Sequence, residues 1–228
     1  MSVLASTLSD GKFANRVFNE RQLGEAISGG NARRYAMVNR ALKDGSLIRL
    51  KRGTYLLEKS YRSEKIHPFA IAQALLPGSY VSFETALAHH GWIPEAVYVT
   101  ANVTPGRKTL EVDAPVMGRF TFHPLATQEY RFLVGVERQK LDALTAFIAS
   151  PLRALLDLVA LRKQRWTDLD WLTKGLRIDE DQLRSLKRKE FSELKRVYKH
   201  KTVNDFLHSL ELAVRPRQAP SPVALTDD

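Results

Sequence analysis

Residues 19–57 read NERQLGEAISGGNARRYAMVNRALKDGSLIRLKRGTYLL, and this stretch decides the N-terminal fold. Asn19 stands at an N-cap with Glu20 in the first turn, and Leu23, Ala26 and Ile27 repeat along one helical face. Gly29-Gly30 ends that helix. Asn31 is placed to cap a second helix that runs to about Asp44 and stops at Gly45. Tyr35, Val38, Ala41 and Leu42 share its apolar side and are expected to face the core. Leu47 to Leu50, the basic turn Lys51-Arg52-Gly53, and Thr54 to Leu57 then spell strand, tight turn, strand. Two helices joined by a glycine turn and followed by a basic hairpin predict a winged helix-turn-helix within residues 1–60, preceded by a short helix over 2–9.

Such an arrangement suits double-stranded DNA. A helix fits the major groove and meets base edges with its N-terminal residues. Here that end carries Asn31, Arg33 and Arg34, residue types that pair with adenine and guanine. Both arginines are expected to stand off the core face. Arg40 lies further along, toward phosphate, and Lys51 and Arg52 at the hairpin tip are expected to reach phosphates or the minor groove. No acid occurs on this helix before Asp44, so no carboxylate repels a backbone.

Outward from this stretch the pattern changes. Residues 68–76 read as a helix closed by Pro77-Gly78, Tyr80-Val81 as a short strand, and Ser82 as the cap of a helix that stops at Gly91. Strands are expected at 96–103, 108–112, 118–123 and 130–136. Ser150-Pro151 opens a helix with Leu152, Leu155, Leu156, Val159 and Ala160 on one face. Further helices are expected at 166–172, 179–188, 191–200 and 202–212. The expected fold class is therefore α+β. A winged helix-turn-helix (1–60) precedes an α+β domain over 61–214, with a small antiparallel sheet and helices at 61–149 and a helical bundle at 150–214. Residues 215–228, rich in Pro, Ala, Ser and Asp, are expected to be disordered.

Charge follows the same division. Of a net +10, residues 1–60 hold 11 Lys/Arg against 5 Asp/Glu, residues 61–150 hold 8 against 8, residues 151–215 hold 15 against 10, and residues 216–228 hold 1 against 2. A basic segment beside a neutral one is the footprint of a polyanion-binding module joined to something else. With no cysteine there is no disulfide, thiolate metal site or cysteine nucleophile. The N-terminus lacks a basic and apolar leader, and no apolar run approaches the ~20 residues of a membrane span. A cytoplasmic protein with no membrane association is expected.

Several runs, taken in order, are similar to the AbiEi-type antitoxins of abortive-infection, type IV toxin–antitoxin systems. They are ALKDGSLIRLKRGTY at 41–55, LPGSYVSFETALAHHGWIP at 76–94, the strand end Val103-Thr104, Gly118-Arg119-Phe120, and SPLRALLD at 150–157. The resemblance covers about residues 15 to 165. It implies a phage-defence repressor that binds operator inverted repeats upstream of its own operon through the N-terminal winged helix. It also implies an antitoxin domain that counteracts a nucleotidyltransferase-like toxin without requiring a stable complex. It transfers no catalytic motif, so neither an enzyme activity nor a cofactor or metal is expected. A monomer or weak dimer would serve half-sites of this kind.

Three other constellations bear on function. Ser82, Glu84, His89 and His90 share a short helix, but adjacent histidines point about 100° apart, and cap, packing and stop account for the segment. Glu111 and Asp113, with Glu137 and Lys140, are the basis of the alternative reading: a metal-dependent nuclease, or another nucleic-acid-processing enzyme, using the central sheet. Finally, Lys187, Arg188, Lys189, Lys195, Arg196 and Lys199 form a basic run interrupted by Glu190 and Glu193. It is either the solvated side of helices or a second polyanion surface.

Overall fold

The computed structural model describes residues 3–11, 13–142 and 144–215, a mixed α+β structure with two sheets. The first sheet gathers the N-terminal elements: α1 (Val3–Ser9), β1 (Phe18–Asn19), α2 (Glu20–Ala26), α3 (Asn31–Lys43), β2 (Leu47–Lys51) and β3 (Thr54–Leu57). Its order is β1-β3-β2, all antiparallel, with Phe18 opposite Tyr55 and Ile48 opposite Leu56. Asn19 caps α2 reciprocally. Its side chain accepts from the Gln22 N–H at 2.9 Å, and Gln22 accepts from the Asn19 N–H at 2.8 Å. Leu4, Leu8, Phe18, Leu23, Val38, Ala41 and Leu57 form the core beneath these helices. Two residues of β1 are too few to show a period, and the sequence reading passes over them.

Two expectations for α3 are corrected. Its N-cap is Gly30, with Asn31 already the first helical residue. Tyr35 does not face the core and is 69% exposed. The buried stripe runs through Val38 and Ala41, and at 3.6 residues per turn Arg34 falls on that side while Tyr35 falls off its edge.

The second sheet has six strands: β4 (Tyr80–Val81), β5 (Val99–Thr104), β6 (Leu110–Ala114), β7 (Gly118–Pro124), β8 (Val136–Leu141) and β9 (Leu144–Ala149), in the order β6-β7-β5-β4-β9-β8. It is mixed rather than antiparallel, because β5 with β7 and β4 with β9 pair in parallel. Residues 130–135 are irregular and turn, not the expected strand, and lead into the β8–β9 hairpin that opens at Val136. The helices α4 (Pro68–Leu75), α5 (Phe83–His89) and α6 (Pro151–Arg162) pack on this sheet. A π-helical turn at Trp171–Gly175 and helices α7 (Glu180–Ser185), α8 (Arg188–Leu194) and α9 (Lys201–Val214) complete the same core. Of the helix expected at 166–172, residues 166–169 are irregular, and the π turn overlaps only its end. The expected disordered tail lies outside the described residues, apart from Arg215.

α6 is fastened by a buried polar network. Asp157 accepts hydrogen bonds from Arg153 Nε (3.0 Å), Tyr198 Oη (2.6 Å), Tyr80 Oη (3.0 Å) and Ser82 Oγ (2.7 Å). Ser82 does not cap α5 with its side chain, as expected, because its hydroxyl is bound to Asp157. The next residue, Phe83, holds φ at 56° while buried, a left-handed conformation that this anchoring maintains. A third apolar cluster joins the two sheets: Leu50 and Leu56 of the hairpin pack with Ile71, Ala72, Leu75, Phe120 and Phe122.

Candidate nucleic-acid interface

Because α3 buries only Val38 and Ala41, most of its length is a polar surface. Asn31, Arg33, Tyr35, Asn39 and Arg40 are all exposed. Arg33 follows the expectation for an outward side chain, although its Cδ passes close over Gly29, 3.0 Å from where a Cβ would sit. Arg34 does not stand clear. It is half-buried, its guanidinium lying over Gly24 of α2, with Nε buried and without a hydrogen-bond partner among the described residues. Gly24 is what admits it, since a Cβ there would be 2.8 Å from Arg34 Nη1.

Between α3 and the hairpin runs a groove of about 590 Å³ lined by Asn31, Arg34, Tyr35, Asn39, Arg49 and Glu20, among others. Tyr35, Asn39 and Arg49 were missed as site residues by the sequence reading. Arg49 had a legible signal: on β2 it alternates with the buried Leu50 and so faces away from the core. Glu20 brings one carboxylate into this groove from α2, which reading α3 alone does not reveal. Asp44, at the far end of α3, is engaged by the Ser46 hydroxyl and N–H, and these hold its carboxyl below the usual range.

The hairpin tip divides its two cations. Arg52 is exposed. Lys51 turns the other way and donates its ammonium to the Leu75 carbonyl at the end of α4. This corrects its placement at the phosphate side: it ties the hairpin to the six-stranded sheet's body.

The second basic run is not a uniform positive face. Lys187 is the N-cap of α8, where its N–H is bound by Glu190. Lys189 lies 3.6 Å from Glu193, and Lys195 lies 3.1 Å from Glu211. Arg188, Arg196 and Lys199 are exposed. Lys187 and Lys189 share one groove with Glu137, Glu190 and Glu193, so cations and carboxylates alternate there.

The remaining constellations are dispersed. Glu111 and Asp113 on β6 both face Arg119, whereas Glu137 and Lys140 sit on β8 at the opposite edge of the sheet. The nuclease arrangement they would need is therefore not assembled. His89 meets Gln139, His90 meets the Ala149 carbonyl, and Glu84 pairs with Arg162. Burial lowers the pKa of His90. Among the described residues no group of three His, Asp or Glu side chains is placed to hold a metal ion, and no helix is long and apolar enough to cross a membrane. No protein-family model matches the chain, and no curated protein matches it.

Proposed function

We propose that residues 3–57 are a winged helix that binds double-stranded DNA, with α3 in the major groove and the β2–β3 hairpin as the wing. The observation that carries this reading is the outward side of α3. Asn31, Arg33, Tyr35, Asn39 and Arg40 are exposed together on a helix without an acid before Asp44. Arg49 and Arg52 extend that surface along the hairpin. Arginine and asparagine suit base edges, and the outlying cations suit phosphates.

The chain as a whole then acts as an operator-binding transcriptional repressor of the antitoxin type. In this reading it represses its own operon through inverted repeats, and residues 61–214, with a C-terminal helical bundle, counter a nucleotidyltransferase-like toxin. The support for this part is the ordered resemblance to the AbiEi-type antitoxins. Two of the resembling runs, 76–94 and 150–157, supply Tyr80, Ser82, Arg153 and Asp157, four members of the one buried network.

The test is a titration of the full chain against fluorescent duplexes carrying its own upstream DNA or a scrambled sequence. The expected result is preference for the upstream duplex and affinity that falls steeply between roughly 50 and 200 mM salt, because releasing condensed counterions gains less as salt rises. Equal, salt-insensitive binding to both duplexes, or none, would sink the reading.

A further inference from the structure

We infer that the β5–β6 loop, residues 105–109, is a second phosphate-contacting element, which carries the DNA surface from the wing onto the six-stranded sheet through Arg107 and Lys108. The inference rests on the duplex-binding reading of residues 3–57 and names a part of the surface that reading leaves out.

Position is the first argument. Lys51, at the wing, donates to the Leu75 carbonyl at the end of α4. The turn that follows is closed by Ser79, whose N–H and hydroxyl both donate to the Leu76 carbonyl. Pro105 packs against this turn, its Cγ 3.4 Å from where a Cβ of Gly78 would sit. The hairpin on its Lys51 side, the α4 end and the β5–β6 loop are thus successive neighbours. The apolar cluster of Leu50, Leu56, Leu75 and Phe122 packs the wing against the sheet beside them.

Charge is the second. Arg107 and Lys108 are adjacent, exposed, and without an ion-pair partner among the described residues. Three exposed arginines of this body are neutralised, Arg119 by Glu111 and Asp113, Arg162 by Glu84, and Arg177 by Glu95. Arg138, exposed like Arg107, lies instead on β8 at the opposite edge of the sheet from β6. The pairing with Arg119 occupies the acids of β6, the strand that the loop enters. Thr104 accepts from the Gly106 N–H at 3.0 Å and so fixes the turn ahead of the two cations. Two presented cations with no aromatic or amide partner suit phosphodiesters and not base edges.

The experiment compares Arg107→Ala/Lys108→Ala with Arg138→Ala/Lys140→Ala in the full chain. The second pair removes equal charge from β8, at the far edge of the sheet. Each protein is titrated with the upstream duplex and a scrambled one over a salt series, after thermal melting has shown that it folds. For the loop variant the slope of log affinity against log salt should fall by about two, with similar weakening on both duplexes, while the β8 variant keeps the wild-type slope. An unchanged loop variant overturns the inference, and so does an equal fall in both variants, which would mean net charge alone. If the wild type itself shows no salt-dependent duplex binding, the winged-helix reading fails first and this inference with it.

Discussion

Arg153 and Asp157 sit one turn apart on α6, both wholly buried, with Arg153 Nε 3.0 Å from Asp157 Oδ1. Burial alone would drive the arginine toward its neutral form, but Asp157 beside it carries its pKa above the ordinary arginine value. The guanidinium also donates to the Val134 carbonyl at 2.6 Å and to Tyr80 Oη. A guanidinium satisfied on this many sides stays charged in the interior. Asp157→Asn keeps the shape and strands the arginine, so it should destabilise the fold by roughly 3–5 kcal/mol. Urea denaturation measures this, and a loss under about 1 kcal/mol would contradict the ionised network.

Alkaline pH probes the same network through its tyrosines. Burial first, and then the Asp157 charge, raise the Tyr80 and Tyr198 pKa values well above normal. Both therefore keep their protons in the folded chain at pH values where the unfolded chain loses them. The stability this contributes is complete below about pH 10 and declines as pH rises past it, by about 1.4 kcal/mol per pH unit for each group. Tyr198→Phe should have lower stability at neutral pH and a shallower alkaline decline. Denaturation series at pH 8 to 11 would test this, and parallel profiles for the two proteins would count against it.

Lys51 and Arg52 are neighbours in sequence and differ in what they hold. Lys51→Gln removes the bond to Leu75 and should reduce stability, by under about 2 kcal/mol since the site is half-buried, with little change in the salt dependence of duplex binding. Arg52→Ala should leave stability within about 0.5 kcal/mol and lower that salt slope by about one. An exchange of these two phenotypes would reverse the assignment of the hairpin's faces.

The sequence displays elements whose signals are local and conceals those set by distant partners. Asn19, Gly45 and the Lys51-Arg52-Gly53 turn mark caps and hairpin within a few residues, and α2, α3, β2 and β3 lie where they predict. The parallel pairing of β5 with β7 depends on the β6 excursion to the sheet edge, which no periodicity encodes. Polar β8 has weak alternation, since its outer edge is solvent. Lys51 reads as a tip cation because Leu75, its partner, is 24 residues away. The burial of Arg153 has no local signal, because its acceptors outside α6, the Val134 carbonyl and Tyr80 Oη, lie 19 and 73 residues away.

Tyr35 and Asn39 were not read as site residues, and their exposure makes a clean test. Each is on the outer side of α3, with Tyr35 69% exposed. Alanine at either position should leave stability within about 0.5 kcal/mol. Loss of a base-edge contact should nevertheless reduce preference for the upstream duplex over the scrambled one by about 1–3 kcal/mol. Competition titration measures the ratio, and an unchanged preference in both variants would place base reading elsewhere on the helix.

Gly24 and Arg34 offer a test that needs no DNA. Alanine favours a helix interior over glycine by about 0.8–1.0 kcal/mol, so Gly24→Ala should stabilise α2. A Cβ at that position, however, would stand 2.8 Å from Arg34 Nη1 and 3.1 Å from Cζ. The guanidinium must move, and the arginine loses the packing it now has on the glycine. In the wild-type background the gain should therefore be small. In an Arg34→Ala background nothing obstructs the new methyl group, and the full difference should appear. The two substitutions should couple by about 0.5 kcal/mol or more in a double-mutant cycle. Strict additivity would mean that Arg34 does not lie over Gly24, and would return it to the open side of α3 where the sequence reading placed it.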